Sequence, residues 1–333
     1  MSQSTPGVKS IQIHAKTTHS IVSAYEFEFL KSETEIQSLL KPCTIYFIIQ
    51  RPLIYFNNFE SEDGIITFEL NDDTSSQPLL CTFVPSENGF CTASEELLIN
   101  VMFYKKEADT IQPFNDVAAF KLLNIKEEFL DWFSPQKFLY EYLSDSIKAE
   151  ICGEVSNYID YKVHYIGKAF SQDIWMRLTG HHKMQKILTL EDELNTKSLK
   201  APFEIALLIL DVDGFDEVKL FPYSGFGLSE GCEPIVHEIS FEDDDESLEQ
   251  FLSPNLGPKA KELTTEVEAL LINTFKPEEY NEVLFENYPN IEHGTRSVGY
   301  SESTLVIEKM PAILRTENHT QDVILPINTR PSP

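Results

Sequence analysis

Hydrophobic and polar positions follow two different periods along this chain. Up to about residue 130, short runs of β-branched and aromatic residues alternate with polar ones and are separated by clusters of Asp, Asn and Gly, which is typical of β-strands joined by tight turns. In residues 172–188 and 261–275 the apolar positions recur every three to four residues, which is the period of an amphipathic helix. The pattern predicts a β-rich N-terminal domain over residues 1–134 and an α+β domain over residues 135–333.

The N-terminal domain is expected to be a small sandwich or barrel, because its strands are short and closely spaced. A helical connector is predicted over residues 126–146, with a break at Ser134-Pro135, where Ser134 would be the N-cap and Pro135 the first helical residue. The predicted strands are residues 21–30, 44–49, 53–56, 65–70, 79–84 and 97–104.

The α+β domain contains three strong local signals. Residues 161–167 are rich in β-formers and are predicted to form a strand, with residues 149–155 as its antiparallel partner. Residues 203–212 form a continuous apolar run, of the kind found in a central strand of a sheet. The helix over residues 261–275 is expected to end before Pro277, because proline cannot continue it.

The charge distribution adds a functional signal, because the chain is acidic overall but carries a local excess of basic groups. It has 54 acidic and 26 basic residues and a formal net charge of −28. Between Tyr161 and Leu188 there are five lysines and arginines and one acidic residue, Asp173. A cationic island in an acidic chain indicates an anionic ligand. In residues 1–135, 19 acidic residues outnumber 9 basic ones, which argues against a second nucleic-acid surface there.

The cysteine count and the apolar runs bear on the cellular setting. The five cysteines are an odd number without a Cys-x-x-Cys spacing, so neither a disulfide framework nor a zinc site is indicated. The first ten residues are polar and do not resemble a signal peptide. The longest apolar run, residues 205–210, is too short to cross a membrane. We therefore expect a cytoplasmic protein that does not act at a membrane.

Three side chains have the chemistry to act on a phosphate, although each of them taken singly also fits a solvated surface position. Arg177 and His181 lie four residues apart, so a helix places them on one face. Arginine holds phosphate through its planar fork, and histidine moves a proton. Glu268 lies at the edge of an apolar helical stripe, where a half-buried carboxylate could hold a hard cation.

Together these stretches resemble the GIY-YIG nuclease family. The second half of that name is present as Tyr165-Ile166-Gly167, followed by Lys168, by Arg177 and, one helical turn later, by His181. In the family, a later helix carries a metal-binding glutamate, and a proline and a Tyr-Asn pair follow it. The corresponding residues here are Glu268, Ile272, Pro277, Tyr280 and Asn281.

The resemblance implies a small antiparallel sheet flanked by helices and a metal-dependent endonuclease that hydrolyses phosphodiester bonds, with DNA as the expected partner. It implies that Glu268 binds Mg²⁺ or Mn²⁺ and that Arg177 holds the scissile phosphate. Tyr165 and His181 would orient or deprotonate the attacking water. The remaining substrate-binding positions implied by the resemblance are Lys168, Gly167 and Asn281.

The chain departs from the family in two places. The strand expected to carry Gly-Ile-Tyr, residues 149–155, has no tyrosine at the required position. Arg177 and Glu268 are 91 positions apart, which is long for the family. We therefore expect an acidic insertion over about residues 190–257, containing the run at residues 242–246.

The departures and the net charge of −28 keep a second interpretation open. The chain would then be a catalytically inactive binding or regulatory protein on a GIY-YIG fold. In either case residues 1–134, which show no catalytic pattern, are expected to bind a protein partner or pack against the nuclease domain. Convergence of Tyr165, Arg177 and Glu268 on one cleft would favour the enzyme.

Overall fold

A computed structural model shows a strand-rich mixed α/β protein with two curled sheets. One sheet, here called the core sheet, takes strands from both ends of the chain, and the other, the inserted sheet, lies between two core strands in sequence. The structure describes residues 10–30, 33–72, 74, 77–104, 110–169, 174–179, 187, 203–215, 260–285, 294–295, 302–308, 310–321 and 327–329.

The core sheet contains nine of the described strands, in the order β15-β14-β11-β3-β12-β1-β13-β16, with β2 paired to β12. The central pairs β11–β3, β3–β12 and β12–β1 are antiparallel. The pairs β11–β14 and β1–β13 on either side of them are parallel. The core strands are β1 (Ser10–Thr17), β2 (Val22–Ser23), β3 (Ile45–Pro52), β11 (Asp160–Lys168), β12 (Phe203–Phe215), β13 (Glu302–Glu308), β14 (Ile313–Arg315), β15 (Thr320–Gln321) and β16 (Ile327–Thr329).

The inserted sheet contains seven of the described strands, in the order β10-β6-β5-β4-β8-β7, with β9 also paired to β8. Its inner face is filled by phenylalanines, among them Phe56, Phe68 and Phe120, whose ring centroids lie 4.7–6.1 Å apart. The strands are β4 (Ile54–Glu62), β5 (Ile65–Asp72), β6 (Leu79–Phe83), β7 (Leu98–Phe103), β8 (Val117–Leu123), β9 (Phe129–Phe133) and β10 (Ala149–Cys152).

Helices cover both faces of the core sheet. One face packs against α5, with Phe47 of β3 edge-on to Phe275 at a centroid distance of 5.9 Å. The other packs against α1, α2 and α4, where Phe27 stacks on Trp175 at 4.5 Å. The helices are α1 (Ala24–Leu30), α2 (Thr34–Leu40), α3 (Pro135–Leu143), α4 (Ile174–Thr179) and α5 (Ala260–Phe275).

The predicted boundary at residue 134 does not separate the two sheets. Strands β1 to β3, all within the first 52 residues, pair with strands from the C-terminal half. The inserted segment therefore runs from β4 to β10, about residues 54–152, and the chain returns from it into β11. Short-range periodicity could not show this, because β3 and β4 are both strands and are joined by a single residue.

The predicted strand around Tyr165 is confirmed, but its predicted partner is wrong. Residues 149–155 do not pair with it, because Ala149–Cys152 form β10 at the edge of the inserted sheet, against β6. β11 pairs instead with β3, in a register that sets Gly167 opposite Tyr46. β3 supplies the continuous apolar surface that a central strand needs on both faces.

Two further local predictions are corrected by turn and cap chemistry. Residues 24–30 are helical and not a strand, because Ser23 and Glu26 form a reciprocal capping box: each side chain accepts a hydrogen bond from the other residue's backbone N–H, at 3.1 and 2.8 Å. Residues 129–133 are strand β9, and the connector is helical only after Ser134. The predicted cap at Ser134 is confirmed, since its hydroxyl accepts from Lys137 N–H.

The central position of residues 203–212 is confirmed by β12, which lies between β3 and β1. This strand falls inside the acidic insertion predicted over about residues 190–257, so the predicted span is too wide. The acidic run at residues 242–246 lies outside the described residues. The helix before Pro277 is confirmed by α5, which ends at Phe275.

A buried charged cluster joins the two sheets where the chain passes between them. Arg51, at the end of β3, donates from Nε to Glu204 Oε1 at 2.8 Å and from Nη1 to the Tyr158 carbonyl at 2.6 Å. Gln136, in the first turn of α3, donates to Glu204 Oε2 at 2.5 Å. The Arg51 guanidinium also lies 4.9 Å above the Tyr161 ring. Arg51 thus connects β3 directly to β12 and to the start of β11. Glu204 extends this cluster to the first turn of α3 through Gln136.

Burial raises the pKa of Glu204 to about 7, while the nearby Arg51 charge lowers it and the Glu26 carboxylate raises it. A carboxyl whose pKa is higher in the folded protein contributes stability below its unfolded value, and that contribution is lost as pH rises through the folded value. We predict that the free energy of unfolding of the wild type, minus that of Glu204→Gln, falls between about pH 4.5 and 7, by at most about 1.4 kcal/mol per pH unit.

Urea unfolding of both proteins across pH 4.5–8 measures this difference. The control is Lys16→Met, which removes a partly exposed pair with Asp211 at 3.9 Å. The free energy of unfolding of the wild type minus that of this control should not change between pH 4.5 and 8. A difference that stays flat or grows with pH would contradict the prediction.

Candidate active site

Two tyrosines meet over a glycine near one end of the β3–β11 pair. Tyr46 on β3 and Tyr165 on β11 have ring centroids 6.0 Å apart, tilted by 36°. A Cβ placed on Gly167 would lie 2.7 Å from the Tyr46 hydroxyl oxygen and 2.6 Å from Tyr165 Cε1. Glycine is therefore required here, because any side chain would separate the two rings from the strand.

Arg177 completes this group from the neighbouring helix α4. Its guanidinium interacts with the Tyr46 hydroxyl, which also interacts with Tyr165. Burial raises the pKa of Tyr46 well above its ordinary range, and the Arg177 charge acts in the opposite direction. Tyr46 is therefore a neutral phenol at physiological pH, able to donate or accept a hydrogen bond.

The Arg177 guanidinium retains an unused donor. Its Nε is buried and has no hydrogen-bond partner in the part of the chain that the structure describes. A buried donor without a partner costs about 1–3 kcal/mol, so an anionic acceptor at this position would be stabilised. Ile174 and Leu178 hold α4 against the sheet, which limits how far Arg177 can move away.

Glu268 reaches the same end of the β3–β11 pair from α5. Its Oε2 lies 2.9 Å from the Nζ of Lys168, one residue after Gly167, and its side chain is only 15% exposed. The Lys168 ammonium also donates to the Thr265 hydroxyl at 3.1 Å. Thr44, at the start of β3, meets Thr264 of α5 with the hydroxyl oxygens 3.1 Å apart. Lys168 and Glu268 thus form an ion pair at this end of the strand pair on the face that α5 covers, whereas Tyr46 and Tyr165 pack on the face that α4 covers.

Asn281 has a bracing role. Its Oδ1 accepts from Ile166 N–H at 3.1 Å, and its Nδ2 donates to Ile166 C=O at 2.8 Å. Both amide groups are therefore used to hold β11 at the residue between Tyr165 and Gly167. The resemblance implied that Asn281 binds substrate and braces the site; in the structure it braces β11, the strand of Tyr165 and Gly167.

The structure brings together Tyr165, Gly167 and Arg177, and it pairs Lys168 with Glu268 on the opposite face of the core sheet, so Glu268 does not join Tyr165 and Arg177 in one cleft. His181 lies outside the described residues. Within the described residues, no group of three or more His, Cys, Asp or Glu side chains is arranged to hold a metal ion. Metal binding by Glu268 therefore stays a prediction of the resemblance.

Sequence reasoning missed Tyr46. The available signal was Thr44-Ile45-Tyr46 in a predicted strand, which differs from Gly-Ile-Tyr only at the first residue. It was passed over because the partner strand was sought directly before Tyr165, while the true partner precedes the inserted segment. The threonine replaces the glycine of the family name and uses its hydroxyl to contact α5.

Comparison with protein-family models, curated proteins and solved structures finds no match to this chain. No described helix combines the length and the apolar character that crossing a membrane requires. The functional argument therefore depends on the geometry of this site and on the motif resemblance.

The crowding over Gly167 can be tested with an alanine. We predict that Gly167→Ala lowers the free energy of unfolding by about 1–3 kcal/mol, because the added methyl overlaps both rings. Tyr46→Phe removes the oxygen that lies nearest to this methyl, so the double variant should lose less than the sum of the two single changes. Urea unfolding of the four proteins measures the coupling, and strictly additive losses would contradict the proposed contact.

Proposed function

We propose that this protein is a metal-dependent endonuclease of the GIY-YIG kind, which hydrolyses phosphodiester bonds of DNA. The observation that carries the proposal is the meeting of Tyr46, Tyr165 and Arg177 over Gly167, with Glu268 at the same end of the strand pair but on the face that α5 covers. The residues that carry the resemblance lie between 165 and 281, whereas Tyr46 is placed at the site by the register of β3 against β11. A tyrosine in the position expected for the first half of the family name therefore supports the proposal independently.

The proposed fold follows the same reasoning. An antiparallel strand pair carries the two tyrosines, a helix with the arginine follows the second strand, and a later helix carries the glutamate. This order is the one implied by the resemblance, with the inserted sheet between the first two strands and β12 before the last helix. The GIY-YIG-like part is thus proposed to be built from β3, β11, α4 and α5.

In the proposed reaction, Arg177 binds the scissile phosphate through its guanidinium, whose Nε has no described partner. It would stabilise the charge that develops on the phosphoryl oxygens as water attacks. The neutral Tyr46 phenol and Tyr165 would orient that water by hydrogen bonds. Because burial raises the pKa of Tyr46, we assign it orientation of the water and not removal of its proton. His181 remains the candidate base implied by the resemblance.

Glu268 would hold the divalent ion, Mg²⁺ or Mn²⁺. The donor set fits, because Mg²⁺ keeps several waters and needs only one or two carboxylates together with substrate phosphate oxygens. The Lys168 ammonium, 2.9 Å from Glu268 Oε2, would have to move aside for the ion to bind. When bound, the ion would supply charge stabilisation at the leaving oxygen.

The nuclease proposal predicts which substitutions abolish cleavage. Arg177→Ala and Glu268→Gln should each slow Mg²⁺-dependent nicking of plasmid DNA by about 10²–10³-fold, as expected when one preorganised electrostatic group is removed. Glu279→Gln, at an exposed glutamate after α5, is the control and should cleave like the wild type. Circular dichroism should show that all three variants are folded. Equal nicking by wild type and Glu268→Gln would refute the assignment of Glu268.

Two observations favour the alternative of an inactive binding protein. The Lys168–Glu268 pair places an ammonium where the ion is needed, and a chain of net charge −28 repels DNA at long range. In this case the wild type would bind DNA or another anionic partner without cleaving it, and Arg177→Ala would lower binding only.

Lys168→Met separates the two possibilities. If Glu268 is the metal ligand, removing the competing ammonium should tighten Mn²⁺ binding several-fold. The methionine carries no positive charge that competes with the ion for the carboxylate. Isothermal titration with Mn²⁺ measures this, and Lys168→Met/Glu268→Gln is the control that should lose the binding. If the pair is only structural, Lys168→Met would lower stability without changing Mn²⁺ affinity.

A further inference from the structure

The edge of the inserted sheet at β7 differs from the other edges of the described sheets. Residues 98–102 of this strand contain no charged residue and no proline, the usual protections of an exposed edge. By contrast, the opposite edge strand β10 is four residues long and carries Glu150. The edge strand β15 of the core sheet has two residues.

Apolar side chains are concentrated around this edge. Leu98 and Met102 on its outer face are 43% and 41% exposed. Six of the twelve large apolar side chains that are exposed in the described residues fall between residues 98 and 129. They are Leu98, Met102, Tyr104, Ile111, Ile125 and Phe129.

A groove of about 530 Å³ lies against the same strand. Ile99 and Val101 line it from β7, and Phe114 and Leu123 line it from the loop before β8 and from its end. Consecutive strand residues point to opposite faces. Because Leu98 and Asn100 also line the groove, a strand added at this edge would place side chains against residues from both faces of β7.

The charges near the edge select the chemistry of such a strand. Glu127 lines the groove, and Glu95, Glu96 and Glu128 lie in the segments that flank β7 and β8, against Lys121 and Lys126. A second copy of this chain would bring the same acidic groups and another net charge of −28, which opposes association at this edge. A basic partner is favoured by the same charges.

We propose that the β7 edge and its groove, residues 98–102 with Phe114 and Glu127, form a docking site for an extended segment of another protein in which apolar residues alternate with lysine or arginine. The segment adds a strand to the inserted sheet through backbone hydrogen bonds, while the groove selects its apolar side chains. This site is independent of the proposed nuclease chemistry and assigns the inserted sheet a partner-binding role.

The test is selection from a displayed library of random ten-residue peptides on the immobilised full chain, followed by fluorescence anisotropy with the selected peptides. We expect enrichment of peptides with apolar residues at alternating positions and basic residues between them. Hydrogen exchange of the complex should show new protection of the β7 amides. Failure to enrich such peptides, or protection confined to other strands, overturns the proposal.

Three variants locate the site. Met102→Lys places a charge on the edge and should weaken the selected peptides at least tenfold. Leu80→Lys changes a side chain that is also exposed, at 53%, but on β6, which is paired on both sides, and should leave affinity unchanged. Glu127→Lys should weaken the basic peptides and favour versions in which glutamate replaces lysine. If sedimentation instead shows a dimer that Met102→Lys dissociates, the occupant is a second copy and the proposal is wrong.

Discussion

The antiparallel pairing of β3 with β11 is the constraint on which the rest of the structure depends. It joins residues 45–52 to residues 160–168 and sets Tyr46 opposite Gly167. Every element of the candidate site is placed from this pair: α4 follows β11, and α5 packs across it. Asn281 then fixes the backbone between the two site residues of β11 through both of its amide groups.

A pairing of such distant residues is compatible with stability because the intervening segment folds on itself. Closing a longer loop adds only about 0.6 kcal/mol for each doubling of its length, and the inserted sheet has its own aromatic interior around Phe56, Phe68 and Phe120. The Arg51 cluster then fixes the points at which the chain leaves and re-enters the core sheet. A single guanidinium bonded to Glu204 and to the Tyr158 carbonyl links those points.

The site combines neutral and charged groups in a way that follows from burial. Tyr46 is fully buried, and its pKa is raised accordingly, while the neighbouring Arg177 charge acts against that shift. Glu268 and Lys168 are more exposed and neutralise each other.

The sequence by itself determined the elements whose signals are local. The strand at Tyr165, the central strand at residues 203–212, the cap at Ser134 and the helix before Pro277 were all predicted from propensity, apolar period and cap chemistry, because each depends on neighbours within a few positions. The Tyr165, Arg177 and Glu268 set was predicted from the motif spacing, and of these the structure groups Tyr165 with Arg177 and leaves Glu268 on the other face of the core sheet. Tertiary structure alone decided which strand pairs with β11, because strand registry depends on contacts between distant residues. It therefore also decided that Tyr46 belongs to the site and that Asn281 braces the strand. The helix at residues 24–30 shows the same limit at short range, since a two-residue capping box outweighed an alternating apolar pattern.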